Sequence, residues 1–321
     1  MISIESGDVL GLAAAVSAAV ETGLLGLVAE GSLTAATAAA RLGVDPTATA
    51  RVYEVLVAAR LAIREGEAYA LAPELAAMHR AFPGGLTLTA MLFASTAQYV
   101  RTGVPAWSMD GDVAQRGEAY RSTVAGLAGM FAGASAAFAS AFAPRVPLGA
   151  RVVDVGCGSG VWGLSLLERA AGATLTGVDL PPVLEVFRET AGARGLADRI
   201  GTVPGDMHEV ALPEADVVIL ANVLRLEPPP RAAALLARLA EAVSPGGTLV
   251  IVDALAEGTP DRDVARAVYA LNLSLRTRGA GVHAPAQVAA WMAEAGLAEV
   301  APLDFGVWPG AVAAWVGRKP R

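Results

Sequence analysis

Cysteine is almost missing from this chain: Cys157 is the only one in 321 residues. That excludes an intramolecular disulfide framework and any multi-cysteine metal site. Histidine is scarce too. His79, His208 and His283 are too far apart in sequence to read as a zinc site, so no metal is expected. Lysine is reduced to Lys319 among 24 basic residues, a bias that with abundant alanine speaks of a GC-rich genome and not of function. Charged residues make up 17% and hydrophobic ones 54%, against about 25% charged in an ordinary soluble domain. A disordered chain has the opposite balance. The net charge of −7 and pI of about 5.1 argue against a general nucleic-acid binder, which needs a basic face. Met1 to Asp8 holds no basic residue, so a secretory leader is not expected, and the cytoplasm is the expected location.

The longest uncharged run, Ser122 to Pro144, is long enough to cross a bilayer. It consists mainly of Ala, Gly and Ser with a single Leu127, residues that gain little in lipid. A tightly packed, buried helix is expected there, without a membrane partner.

Length predicts about two domains. Residues 1–80 read as three helices and a hairpin: Leu10 to Ala29 broken near Gly23, Ala35 to Leu42, and Ala48 to Arg60 with Val52, Val55, Leu56 and Ala59 on one face. Short strands follow at Ala62 to Arg64 and Ala68 to Leu71. This is a winged-helix pattern, but nine acids against five arginines over residues 1–80 disfavour DNA and favour dimerisation. Residues 81–145 read as an apolar helical linker and pocket lid. Met91, Tyr99, Trp107, Met130 and Phe131 are its candidates for lining a substrate pocket. From 146 to 321 strands and helices alternate, with strands at Arg151 to Val155, Thr174 to Asp179, Ile200 to Val203, Asp216 to Leu220 and Thr248 to Asp253. That alternation predicts a parallel sheet covered on both faces.

The sharpest motif is Asp154-Val-Gly156-Cys157-Gly158-Ser-Gly160, at the end of a buried strand. Glycines at 156, 158 and 160 let the backbone turn tightly and approach a ligand. Asp179 closes the next strand, 19 residues beyond Gly160, where a carboxylate accepts from ribose hydroxyls. Asp206 and Met207 follow the third strand, suited to an adenine amino group and an adenine face. Together these describe an adenosine-containing cofactor. Gly-x-Gly-x-Gly is not the dinucleotide fingerprint, whose third glycine comes one residue later.

The pattern Asp-x-Gly-x-Gly-x-Gly resembles the first motif of S-adenosyl-L-methionine-dependent methyltransferases. The order of a winged-helix module, helical linker, Gly-rich domain, Val178-Asp-Leu180-Pro-Pro, Gly205-Asp-Met and Ala221-Asn222-Val-Leu224 is similar to the plant-type and bacterial small-molecule O-methyltransferases across nearly the whole chain. The resemblance implies an α/β, Rossmann-like class I methyltransferase domain with a seven-stranded sheet, its last strand antiparallel. It implies an N-terminal winged-helix-like dimerisation domain, all-helical apart from the hairpin, and a homodimer. S-adenosyl-L-methionine would be the cofactor, S-adenosyl-L-homocysteine the product and a small natural product the acceptor. By matching position, Asp154, Gly156, Cys157, Gly158, Gly160, Asp179, Leu180, Asp206, Met207 and Asn222 would form the cofactor site.

The departure from the family lies after the fourth strand. A His there usually takes the acceptor proton, and here Arg225 stands in its place. A guanidinium is no base near neutral pH. Of the acids that orient that His, Asp253 has a match; the other falls in Gly279 to His283, which has no acid. Arg225 is then either paired with Glu227 or Asp253, or it receives an anionic acceptor group. An acidic or carbon-nucleophilic acceptor would need no strong base. His283 is a candidate replacement base; His208 reads as structural or adenine-edge. Asn272 and Arg276 join the substrate-pocket candidates, with Arg278 able to widen an anion site. Two other readings compete: a fold-sharing enzyme that rearranges, cyclises or hydroxylates its substrate, and a non-catalytic dimeric binding protein.

Overall fold

The computed structural model describes residues 6–81, 85–106, 113–255, 264–306 and 312–321. The chain forms two compact units, Met1–Gly103 and Val104–Arg321, so the 81–145 stretch is shared between them.

The first unit runs α1 (Ser6–Glu21), α2 (Leu24–Glu30), β1 (Leu33–Thr34), α3 (Ala35–Leu42), α4 (Pro46–Ala58), β2 (Ala62–Glu65), β3 (Ala68–Leu71), α5 (Pro73–Ala81), α6 (Gly85–Ala94) and α7 (Thr96–Thr102). The hairpin gains a third, two-residue strand, giving the antiparallel order β1-β3-β2, so the unit is not all-helical beyond a simple hairpin. The α3 N-terminus is capped by Thr34, which accepts from Thr37 N, and that of α4 by Asp45, which accepts from Ala48 N at 2.7 Å with Pro46 in the first turn. The buried face of α4 is Thr49, Tyr53 and Leu56; Val55, expected inside, is 39% exposed. Tyr53 sets this rotation. Its hydroxyl donates to Leu24 O at 3.2 Å and its ring packs 4.9 Å from that of Tyr69, so the helix turns to bury the aromatic and satisfy its hydroxyl.

The second unit contains α8 (Val113–Phe142), β4 (Arg151–Val155), α9 (Val161–Leu167), β5 (Thr174–Asp179), α10 (Pro181–Ala193), β6 (Ile200–Pro204), β7 (Ala215–Ala221), α11 (Pro229–Ala242), β8 (Val243–Ala254), α12 (Val264–Ser274), α13 (Pro285–Glu294), β9 (Ala298–Leu303) and β10 (Val312–Arg318). The sheet order is β6-β5-β4-β7-β8-β10-β9, with β10 antiparallel to both neighbours and the β4, β5, β6, β7 and β8 pairings parallel. Successive β4 residues feed opposite cores. Val152 joins Phe138, Leu164 and Phe187 from α8, α9 and α10, while Val153 joins Leu235, Leu239 and Val288 from α11 and α13. Strands buried on both faces read as continuous apolar runs. The strand expected from Thr248 begins five residues earlier, so that Pro245-Gly246-Gly247 lies inside β8, where Gly246 N donates to Lys319 O and Lys319 N to Gly247 O, both at 2.9 Å.

Gly126–Arg145, which begins in α8 and runs three residues past its end, is long and apolar enough to cross a membrane by length and composition. Ala134, Phe138, Ala139 and Phe142 are buried, whereas Met130 is 44% exposed. Only one face of the helix is therefore packed within this unit, not the whole of it.

Candidate active site

The order of the sheet reverses direction between β4 and β7, and ligands bind outside the strand carboxyl ends at such a switch point. A cavity of about 920 Å³ opens there. Its walls come from the segments after β4 (Gly156, Cys157, Gly158), β5 (Asp179, Leu180), β6 (Asp206, Met207, His208) and β7 (Asn222, Glu227), together with Tyr120, Val124, Leu127 and Phe131 of α8. All lining residues belong to the second unit.

The Gly-rich loop is held by Gly156 N and Cys157 N donating to Val178 O at 2.8 and 3.2 Å. Gly156 has φ +64°, and a Cβ there would lie 2.7 Å from Val223 Cγ2, so this position admits no side chain. Asp179 reaches across: Gly158 N donates to its Oδ2 at 2.8 Å and Leu180 N to its Oδ1 at 2.7 Å. Each oxygen keeps a lone pair for a further donor, the disposition a ribose diol requires. Burial pushes the Asp179 carboxyl up to about 6 against these hydrogen bonds. Asp206 Oδ1 accepts from His208 N at 2.9 Å, fixing its carboxylate beside Met207. An acceptor pair, a second carboxylate, a thioether and an apolar wall from α8 suit a nucleoside with a diol, an amino group and a flat aromatic face.

Two expected cofactor residues stand behind this wall and do not line it. Asp154 is 1% exposed and accepts from Gly163 N at 3.1 Å; burial pushes its carboxyl up to about 7. It fixes the start of α9. Gly160 precedes α9 at φ +77°, where a Cβ would meet Phe187 at 2.5 Å, so its need is packing. Cys157 is buried, and burial pushes its thiol well up, which removes it as a nucleophile.

Arg225, Asp253 and His283 form no exposed catalytic set. Arg225 Nη1 donates to Asp253 Oδ1 at 2.8 Å and to Asn222 Oδ1 at 2.6 Å, and its backbone N donates to Asp253 Oδ2 at 3.2 Å. Burial would lower the guanidinium's pKa, but Asp253, with Tyr269 and Tyr120, outweighs it and the value is raised. Of the two acids expected as partners, Asp253 is the one used. Asn222, at φ +60°, is thereby presented to the cavity with its amide oxygen taken. His283 is 4% exposed, and its Nε2 lies 3.1 Å from both Leu224 O and Glu227 O. Two carbonyl partners require that nitrogen to carry the proton. The ring stands edge-on to Trp291 at 5.1 Å. It is a backbone staple and not a base.

Glu227 instead bridges two cavity residues. Its Oε1 lies 2.9 Å from His208 Nε2 and its Oε2 accepts from Arg231 Nε at 2.8 Å. Burial pushes the carboxyl up, and His208 and Arg231 more than reverse this, holding it below its ordinary value. Sequence reading missed this His–Glu–Arg cluster, since nothing local ties His208 to a residue beyond the next strand.

Among the substrate-pocket candidates, Phe131 lines the cavity; Asn272 and Arg276 do not. Met130 is largely exposed. Met91 and Tyr99 belong to the first unit, where Met91 is 59% exposed. Trp107 lies outside the described residues. Arg278, considered for widening an anion site, lines the cavity, as do Thr277 and Tyr120, which were not among those candidates.

Residues 96–298 match the O-methyltransferase domain family. One relative is the mitomycin biosynthesis 6-O-methyltransferase of Streptomyces lavendulae, 31% identical over 160 residues, 50% of this chain and 45% of that protein. The chain spans about half the length of the curated relatives it matches. In fold it is similar to mitomycin 7-O-methyltransferase (TM-score 0.75, 24% identity, 97% and 94% of the two chains). It is also similar to human N-acetylserotonin methyltransferase in complex with S-adenosylmethionine (TM-score 0.71, 22% identity, 98% and 95%).

Proposed function

Since the chain belongs to the O-methyltransferase domain family, we propose that it transfers a methyl group from S-adenosyl-L-methionine to a small natural-product acceptor. The observation that carries this reading is the convergence of the Gly156–Gly158 loop, Asp179, Asp206 and Met207 on one cavity. Asp179 would accept from the ribose hydroxyls, Asp206 from the adenine amino group, and Met207 would cover the ring. The bound cofactor supplies an electrophilic methyl group. This chain's residues supply alignment and exclusion of water. Val124, Leu127 and Phe131 of α8 form the apolar wall that does so.

A general base is worth about 10²–10⁴-fold where one acts, and the ion-paired Arg225 supplies none. The acceptor is therefore read as acidic or carbon-nucleophilic, reaching the site ionised or nearly so. The family's dimeric arrangement is part of the proposal, with the first unit as the pairing module; its exposed Leu10 (72%) and Val100 (77%) are apolar surface such an interface would cover.

The test is to denature purified protein, identify released small molecules by mass spectrometry, and titrate stripped protein with S-adenosyl-L-methionine and S-adenosyl-L-homocysteine. Tight binding of either, lost in Asp179→Ala, is the expected outcome. Folded protein that binds neither refutes the reading. Methylated product with S-adenosyl-L-homocysteine separates transfer from a rearrangement that leaves the cofactor intact.

A further inference from the structure

Arg225 and Arg276 lie within electrostatic reach of each other, just outside the residues that line the cavity. Arg225 is neutralised by Asp253. Arg276, in the turn after α12, has no ion pair among the described residues. Its Nη2 donates to the neutral Asn272 Oδ1 one helical turn back. Its Nε is sealed from solvent and has no hydrogen-bond partner among the described residues. The charged and titratable groups near enough to act on it are Tyr269, Arg225 and Tyr120, with no described carboxylate among them. Burial and Arg225 both push its pKa down, yet a guanidinium stays charged at any physiological pH.

A half-buried guanidinium with no described carboxylate beside it is costly, because its lost hydration is repaid only by an opposite charge or by further hydrogen bonds. Folds keep such violations chiefly where a ligand relieves them. The surroundings point the same way. Tyr120 faces both arginines electrostatically and lines the cavity, as do Asn222, which accepts from Arg225, and Thr277 and Arg278, which directly follow Arg276.

We propose that Arg276 is the seat of a carboxylate carried by the acceptor. The missing negative charge is supplied on binding, and Arg225–Asp253 is the neutral brace behind it. This rests on the reading that an acceptor binds beside the cofactor, and it deepens that reading by naming the acceptor's class: a small aromatic acid, held by its carboxylate through charge-assisted hydrogen bonds. The anion-receiving role open to Arg225 from sequence passes to Arg276.

The test is calorimetric binding of benzoate and of its neutral isostere benzamide to protein saturated with S-adenosyl-L-homocysteine. A buried charge-assisted pair predicts that benzoate binds about 10- to 100-fold tighter than benzamide. Arg276→Gln should abolish the preference, and Arg276→Lys, which keeps the charge without the fork, should retain part of it. Unchanged affinity for S-adenosyl-L-homocysteine in each variant shows that it is folded. Equal affinity for the two probes, no binding of benzoate, or a preference that survives in Arg276→Gln overturns the proposal. Failure of the unchanged protein to bind S-adenosyl-L-homocysteine would instead refute the methyltransferase reading itself.

Discussion

The two buried acids of the site predict that the ligand-free protein loses stability as pH rises through the range where most proteins are steady. Asp154 is raised to about 7 and Asp179 to about 6 by burial, from an ordinary 3.8. Both folded-state values exceed the unfolded ones, so between about pH 4 and 7 the folded state holds more protons and stability falls with rising pH. From about pH 5.5 to about pH 7.5, Asp154 accounts for a loss of about 2 kcal/mol and Asp179 for about 1 kcal/mol. At about 2–4 °C per kcal/mol for a unit of this size, the melting temperature should drop by roughly 6–12 °C over that interval. The perturbation is Asp154→Asn. The amide oxygen still accepts from Gly163 N, and its NH₂ loses a partner at a cost of about 1–3 kcal/mol, a penalty independent of pH. The variant should melt lower than the parent but lose about two thirds of the pH dependence. The assay is differential scanning calorimetry of stripped protein at the two pH values. A variant that keeps the parent's full pH dependence refutes the assignment of that proton to Asp154. The carboxyls of Glu214, Asp216 and Glu227, all held below their ordinary values, titrate under this window.

Two further predictions concern the cavity. Affinity for S-adenosyl-L-homocysteine should fall as pH drops below about 6, because a protonated Asp179 loses an acceptor for the diol, and binding near that pH should release a proton; calorimetry in two buffers of different ionisation enthalpy reads this directly, and pH-independent affinity without release would contradict it. His208→Gln should reduce kcat on an acidic acceptor by far less than the about 10²–10⁴-fold of a lost general base; a loss of that full size, with a pH–rate profile that loses its near-neutral limb, would show the His208–Glu227 pair to be the base and the acceptor to arrive protonated.

The sheet was legible because its strands are short apolar runs bounded by glycines, and Asp154 to Gly160 marks the first strand–helix turn unambiguously. Two cavity residues were legible for the same reason: Asp179 and Asp206 sit at strand ends, where position in sequence dictates position in space. What periodicity could not decide was side-chain partnership across the sheet. Arg225 had two acids to choose from, and the choice of Asp253 depends on β7 and β8 lying side by side. His283 looked available because a lone histidine after a Gly-rich loop shows nothing of the two carbonyls it meets. The α4 face was misjudged by one residue because hydrophobicity alone ignores the hydroxyl of Tyr53 that must find Leu24 O.

The His283 staple separates the form of the turn at Leu224 to Glu227 from the identity of the residue it displays. One imidazole proton shared by Leu224 O and Glu227 O, with Gly281 N donating to Arg225 O at 3.0 Å, holds the backbone from outside, by main-chain atoms that any residue would offer. Position 225 is thus an interchangeable fitting on a fixed mount. A different side chain there would leave these main-chain bonds in place, so the form of the loop does not depend on the arginine.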